Sequence, residues 1–440
     1  MVARFIDLFV SHVLVRPLQI LASAMAAGSF AAIALGVGTP ARAEEPITIG
    51  LSMSQSGPLA ANGKSALLGM QIWQDDINAK GGLLGRPVKL VVYDDQSNPS
   101  TVPGIYTKLL DVDKVNLVIS GYATNMIAPA MPVVMGHGKA FIGLFGLAVN
   151  SAFHYPKYLS MTPGGPDTKA SLTAGFFEVA MAQNPKPQTV AIVGADAEFS
   201  NNAMAGARQN AKTAGVKIVY DQSYPPMTTD FSPIVRAIQA ANPDLVVICS
   251  YPLDSAGLVR AVNELGFAPK MIGGGMVGPM SASMQTQLGP LLNGFLDFDF
   301  WLPAKTMQFP GAMNFLKRYQ DKAPSLGVDP LGYYVAPWAY ADLQVLGDAI
   351  TATQSLDDAK LADYMHQATF NTIIGDVKFG ADGEWAKSRV LQIQFHDIAG
   401  NGLEQFRDAG SVETILTPAD YKTGTVIYPY SAAKEAAAGR

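Results

Sequence analysis

Short apolar runs that do not alternate with polar residues, each followed by a helical pattern, constrain this chain more than any other feature. Leu245-Val246-Val247-Ile248-Cys249 is the clearest run. A strand with one wet face alternates apolar and polar residues, whereas a strand covered on both faces does not. Similar runs occur at Ile47–Met53, Val88–Tyr93, Leu117–Ser120, Ala140–Phe145, Thr189–Val193, Lys217–Tyr220, Lys270–Ile272 and Gly294–Phe300. Helical patterns fill the gaps. Ala66, Met70, Trp73 and Ile77 recur at helical steps within Ala61–Lys80, before Gly81-Gly82. Phe231–Ala241 carries Ile234, Val235 and Ile238, with Asp230 as expected N-cap and Asn242-Pro243 as stop. Strand–helix alternation over this length predicts an α/β chain of doubly wound parallel sheets with helices on both faces.

Such sheets bind ligands in the loops beyond the carboxyl ends of their strands. Here those loops are polar or glycine-rich: Ser54–Pro58, Asp94–Pro99, Gly121–Asn125 and Ser250–Ser255. The Ala-rich end, Ala432–Arg440, reads as a loose tail.

The N-terminus reads as an address. Arg4 and Arg16 flank an apolar stretch from Leu18 to about Val37, followed by Thr39-Pro40 and the small-x-small pattern Ala41-Arg42-Ala43. This predicts a secretory signal peptide over residues 1–43, cleaved after Ala43, and hence an exported protein. No cysteine follows the apolar run, so lipid attachment at a new N-terminal cysteine is not expected. The leader holds three basic residues against one acid, so its loss makes the chain more acidic.

Composition excludes several functions. With Lys+Arg 31 against Asp+Glu 36, no basic excess exists to neutralise nucleic-acid phosphates. One cysteine, Cys249, excludes an intrachain disulfide framework or a multi-cysteine metal site, and at the end of an apolar strand it reads as a small buried hydrophobe. The five histidines (His12, His137, His154, His366, His396) include no pair at helical metal-ligand spacing. Gly273-Gly274-Gly275-Met276-Val277-Gly278 fits the dinucleotide fingerprint in letters alone. It lies late in the chain and meets Pro279 at once, so its glycines are expected to turn the backbone or admit a ligand closely. Neither a phosphate loop nor a nucleophile elbow occurs, and Asp94–Pro99 lacks the turning glycine and distal Glu of a calcium loop. No catalytic group, cofactor or metal is therefore expected.

A family resemblance gathers these features. Ile47-Thr48-Ile49-Gly50, Ser56-Gly57-Pro58, Gly63, the run Asp76-Ile77-Asn78-Ala79-Lys80-Gly81-Gly82, Gly85-Arg86-Pro87-Val88, Tyr93-Asp94-Asp95, Thr229-Asp230-Phe231-Ser232 and Pro243-Asp244-Leu245-Val246 together resemble the leucine/isoleucine/valine-binding protein family, over about residues 47–400. The members are solute receptors of ABC importers of the branched-chain amino acid type. The resemblance implies a type I periplasmic-binding fold: two doubly wound parallel-sheet lobes joined by three crossovers, near Thr162–Pro166, Asp297–Trp301 and Thr372–Asp376. It implies an N-terminal lobe of 44–163 and 301–372 and a C-terminal lobe of 164–300 and 373–440. It also implies a periplasmic monomer, no enzyme, that delivers a small solute to a permease complex in the inner membrane.

In amino-acid-binding members, the ligand carboxylate sits on two N-lobe loops, which by position are Ala123-Thr124-Asn125 and Phe145-Gly146-Leu147. The ammonium is held partly by an acid in a C-lobe loop. Two departures stand out: Leu147 replaces a usual Thr, and Gly275 or Met276 stands where the acid is expected. An ammonium buried without an acidic or carbonyl partner costs several kcal/mol, roughly, so an α-amino acid is disfavoured. Asp196, Glu198 or Asp254 is the alternative source of an acid. Phe145, Phe199, Tyr251 and Met276 map to cleft loops, with Tyr333 and Tyr334 beside them, and Gln55 and Asn62 complete the expected lining. Rings with a few polar groups suit a hydrophobic or aromatic carboxylate. The alternatives are a branched-chain amino acid receptor and a ligand-sensing module for a membrane kinase.

Overall fold

The apolar runs form the strands of two main sheets. The computed structural model of the chain describes residues 45–408 and 410–438; the expected leader and its cleavage after Ala43 lie outside them. In the first sheet, β1 (Ile47–Met53) pairs in parallel with β2 (Val88–Asp94) and β3 (Leu117–Val118). The amides of Ser120 and Ala123 donate to Ile142 and Leu144, carrying the ladder on to the parallel pair β4 (Phe141–Gly143) and β5 (Tyr158–Ser160).

The second sheet has seven strands. β6 (Thr189–Ala195), β7 (Lys217–Tyr224), β8 (Leu245–Ser250), β9 (Met271–Met276) and β10 (Leu296–Asp299) form its parallel part. A small antiparallel hairpin, β11 (Phe370–Thr372) and β12 (Gly375–Val377), stands apart. β13 (Leu391–Phe395) and β14 (Glu413–Thr417) then join β10 as antiparallel strands, giving the order β14-β13-β10-β9-β8-β6-β7. Every residue of β8 is buried, as its unbroken apolar run requires. Cys249 is fully buried there, and burial pushes its thiol up to about 12.

Several details correct the sequence reading. Helix Ser232–Ala240 has Phe231 as its N-cap, although the Asp230 carboxylate still accepts from the Ser232 amide at 3.0 Å. Of the expected loose tail, residues 432–438 belong to a helix, Tyr430–Ala438, and residues 439–440 lie outside the described residues. Tyr430 and Ala433 are buried, and the Lys434 ammonium is bonded to the Asn263 amide oxygen at 2.7 Å. Gly273–Gly275 neither turn the chain nor end a strand. They form the middle of β9, with φ of +122° at Gly273 and +92° at Gly274. A Cβ on Gly273 would stand 1.8 Å from the Leu296 carbonyl oxygen, so only glycine lets β10 approach this closely.

The chain passes between the two sheets three times. The first passage follows β5 and leads into helix Thr168–Met181, and the second follows β10. Thr372–Asp376 instead makes the turn between β11 and β12, with the Ile373 amide bonded to Gln344 of helix Val335–Thr353. The approach to β13 comes at Arg389, whose amide donates to the Pro163 carbonyl at 2.8 Å, tying the first and third passages together. The buried Arg389 guanidinium lies 4.8 Å from the Trp385 ring, 5.4 Å from Phe309 and 5.8 Å from Trp338. Ring faces replace part of its lost hydration.

Buried acids set how stability depends on pH; Asp299 and Glu384 are two of them, and burial raises Asp297, Asp342 and Glu413 in the same direction. Burial raises Asp299 to about 7 and Glu384 to about 8. Each keeps its proton in the folded chain where the unfolded chain, titrating near about 4, has lost it. Their contribution is complete below about pH 4 and declines as pH rises through about 7 and 8, by up to about 1.4 kcal/mol per pH unit for each group. His137, raised by its bonds to the Val133 carbonyl and Asp111, acts in the same direction. Thermal unfolding should therefore occur at higher temperature at pH 5 than at pH 8, and Glu384→Gln should flatten that slope. A melting temperature that rises from pH 5 to pH 8 would contradict this.

Candidate functional site

Loops at the carboxyl ends of strands from both sheets close around one small cavity. From the first sheet come Tyr122, Ala123 and Thr124 after β3, and Phe145 and Leu147 after β4. From the second come Phe199 after β6, Tyr251 after β8, Val277 after β9, and Phe298 and Phe300 on or just past β10. Leu59, Thr162, Leu172 and Tyr334 complete the wall. The free space among them is about 30 Å³, room for little more than one water. A ring-sized ligand therefore requires the two sets of loops to stand further apart than they do here.

Phe145 is the hub of the aromatic wall. Its ring stacks on Tyr334 at 5.2 Å and 7°, and lies 4.8 Å from Phe300, 5.3 Å from Trp338 and 6.4 Å from Tyr122. It sits at φ +62°, a left-handed conformation that costs an ordinary residue about 1–3 kcal/mol. Phe199 and Tyr251 meet edge to face at 5.7 Å on the wall supplied by the second sheet. Asn202 of helix Glu198–Ala214 donates to the Leu147 carbonyl at 3.1 Å, a direct bond between the two sets of loops.

The polar atoms at the cavity are neutral hydroxyls. Thr124 Oγ1 accepts from the Leu147 amide at 3.0 Å, so its proton remains free to donate. The Thr162 and Tyr251 hydroxyls are buried without a partner. Asn62 donates to the Tyr122 hydroxyl, which shares a 3.1 Å bond with that of Tyr334. Whichever phenol donates within that pair, the other keeps a free O–H. No carboxylate, ammonium or guanidinium is among the lining residues. On β10, Phe298 borders the cavity while its neighbours Asp297 and Asp299 do not, as strand alternation requires. Asp297 instead accepts from the Met276 and Phe298 amides, and Asp299 from those of Phe300 and Trp301.

The structure brings Ala123, Thr124, Phe145, Leu147, Phe199 and Tyr251 of the expected set to this cavity. It does not bring the rest. Met276 is fully buried at the end of β9, and its neighbour Val277 faces the space instead. Tyr333 turns towards Trp301 and donates to the Arg407 carbonyl at 2.9 Å, leaving Tyr334 at the cavity. Asn62 acts one step back, through Tyr122, and Gly146 is buried outside the lining. Gln55 is half-buried and bonds through its amide to Asp94. Asn125 borders an adjoining chamber. Of the candidate acids, Asp196 accepts from Asn201, Asp254 accepts from Tyr224 and borders the adjoining chamber, and Glu198 is exposed. None lines the cavity. Leu172 and Phe298 were missed because they sit within elements, where an apolar residue looks like ordinary core, and Val277 because it directly follows the apolar strand β9. Thr162 carried a signal, being in the expected first crossover. Among the described residues no three His, Cys, Asp or Glu stand together to hold a metal ion.

Comparison with known proteins gives concordant results. A model of a family described as periplasmic binding protein matches residues 46–394. The Leu/Ile/Val-binding protein of Escherichia coli (strain K12) is 26% identical over 354 residues, covering 80% of this chain and 91% of that protein. The branched-chain amino acid transporter substrate-binding protein LivJ from Streptococcus pneumoniae, solved with isoleucine, superposes with a TM-score of 0.68 at 18% identity, over 85% of this chain and 100% of that one. A solute-binding protein of an ABC transporter from R. palustris, solved with 4-hydroxybenzoate, superposes with a TM-score of 0.69 at 19% identity, over 80% and 93%. Among the described residues no helix is long and apolar enough to cross a membrane.

Proposed function

Because the chain belongs to the periplasmic binding protein family, the solute-binding components of ABC transporters rather than enzymes, we propose that its ligand is a small hydrophobic or aromatic carboxylate. One observation carries this reading: the cavity is walled by rings and offers neutral hydroxyl donors, with no carboxylate to neutralise an ammonium. The free protons of Thr124, Thr162, Tyr251 and the Tyr122–Tyr334 pair are all suited to an anionic acceptor. An α-amino acid would leave its ammonium without an acid in a closed apolar space, a cost of several kcal/mol, roughly. The 4-hydroxybenzoate held by the R. palustris protein of the same fold supports the ring-acid class.

Capture works by a shift between two states. In the proposed division, with the third passage at Arg389 rather than at Thr372–Asp376, residues 45–163 and 301–388 act as one lobe and 164–300 and 389–438 as the other. Gly383 stays on the first lobe through its carbonyl, which accepts from the Ser160 amide. Separated lobes admit the ligand. Closure then brings Phe145 and Leu147 against Phe199 and Tyr251 and remakes the Asn202–Leu147 bond, so contacts available only when closed favour that state. The closed form, a periplasmic monomer, is what the permease complex receives.

A thermal-shift comparison tests the reading. At ligand 100-fold above Kd, stabilisation of about 2.7 kcal/mol is expected, so benzoate or 4-hydroxybenzoate should raise the melting temperature by a few degrees while leucine and valine do not. A shift with leucine or valine and none with ring acids would replace the proposal with a branched-chain amino acid receptor.

A further inference from the structure

The inner cavity opens beside a second, larger space. An outer chamber of about 460 Å³ shares Leu59 and Tyr251 with the inner cavity, so these two side chains form the partition between them. One wall is the helix Pro252–Glu264, which starts directly after Tyr251. Leu253, Gly257 and Arg260 follow at steps of four and three, and all three border the chamber from one face of that helix. Gly257 lets the helix seat against Phe231, whose ring would stand 2.4 Å from a Cβ there. Arg260 lies further along, and helical side chains lean towards the N-terminus, which carries its guanidinium back towards Tyr251.

Arg260 is half-buried, and among the described residues it has neither an ion-pair partner nor a hydrogen bond. The acid on the same wall, Asp254, is taken by the Tyr224 hydroxyl at 3.1 Å. The rest of the lining is mostly apolar, with Met227 and Leu253 exposed. A partly desolvated guanidinium with no partner, bordering a mostly apolar chamber that adjoins a ligand cavity across Leu59 and Tyr251, is suited to a carboxylate, which it can meet with two parallel hydrogen bonds.

We propose that the ligand is an elongated aromatic dicarboxylate, with one end on the inner hydroxyls and its second carboxylate on Arg260 in the outer chamber. This rests on the ring-acid reading above and extends it: Arg260 distinguishes diacids from monoacids of equal length. A ligand of that shape spans the Leu59–Tyr251 partition, so Tyr251 packs against its middle.

Calorimetric titration of the protein with 4-propylbenzoate and 4-(2-carboxyethyl)benzoate tests it, because the two differ chiefly in the distal carboxylate. The diacid should bind at least tenfold more tightly. In Arg260→Gln the two should bind alike, and Arg260→Lys, which keeps the charge but loses the paired hydrogen bonds, should retain only part of the preference. If 4-propylbenzoate binds and the diacid shows no advantage, or an advantage that survives Arg260→Gln, the role of Arg260 is overturned and the ring-acid reading stands. If neither compound binds while leucine does, the ring-acid reading falls and takes this proposal with it.

Discussion

Gly273→Ala should leave the seven-stranded sheet unable to assemble as it stands. The new Cβ would lie 1.8 Å from the carbonyl oxygen of Leu296, the residue paired with Gly273 across the β9–β10 ladder, against an ordinary contact of roughly 3.5 Å or more. The obstacle is backbone, so no side-chain rotation relieves it. The φ of +122° adds a second cost, since alanine rarely adopts it. Strain and overpacking each cost about 1–3 kcal/mol, which together form a large share of a typical stability of about 5–15 kcal/mol. Loss of soluble protein, or a melting temperature lower by several degrees, is the expected result. Gly215→Ala is the matched control: it also sits at positive φ, +69°, but its Cβ would meet nothing within 4 Å. That variant should lose only about 1 kcal/mol. Equal melting temperatures for the two alanine variants would refute the steric argument. The consequence reaches function, because β9 and β10 carry Val277, Phe298 and Phe300 to the cavity.

Phe145→Ala should abolish ligand capture while costing about 3–5 kcal/mol of stability, the range for removing a buried phenylalanine. The ring touches four aromatic neighbours, one of them face to face. Without it Tyr334 and Phe300 lose the surface that holds them in place, and a ligand ring loses its wall. Binding of a ring acid should weaken by about 100-fold or more, on the scale of a removed hot-spot aromatic. Phe145→Leu fills much of the volume without a flat face, so it should fold well and still bind poorly. If Phe145→Leu binds a ring acid as tightly as the native chain, Phe145 is a packing residue and no part of ligand recognition. Phe145→Gly offers a further check: glycine accepts φ +62° freely, so it should recover part of the strain that alanine retains.

Both sites show how far sequence reasoning reaches. Runs such as that in β8 were legible because a strand covered on both faces must be apolar throughout. β13, Leu391-Gln392-Ile393-Gln394-Phe395, was not: its glutamines are buried, with Gln392 donating to the Asp297 carbonyl and Gln394 to that of Ile427. A buried glutamine that donates to distant backbone looks, in one dimension, like a surface residue. The short β5, β11 and β12 carry too few residues to show a period. The C-terminal helix reads as tail because its stability comes from Tyr430 packing on Phe295 and Lys434 reaching Asn263, contacts invisible along the chain.

What the sequence by itself determined is the class of fold and the chemistry missing from the cleft. Apolar runs between helical patterns require covered parallel sheets, and sheets of that kind place ligands at loops that here carry rings and hydroxyls where an acid was expected. Tertiary structure alone decided which member of each neighbouring pair faces the ligand: Val277 and not Met276, Tyr334 and not Tyr333, Phe298 and not Asp297. In β10 adjacent residues point to opposite sides of the strand, so a shift of one position exchanges a wall for a core. Val277 and Tyr334 are turned to the cavity by the non-extended backbone at the end of β9 and at the start of helix Val335–Thr353. Local composition is the same in either register. Only the meeting of loops from the two sheets around the cavity makes one of them lower in free energy.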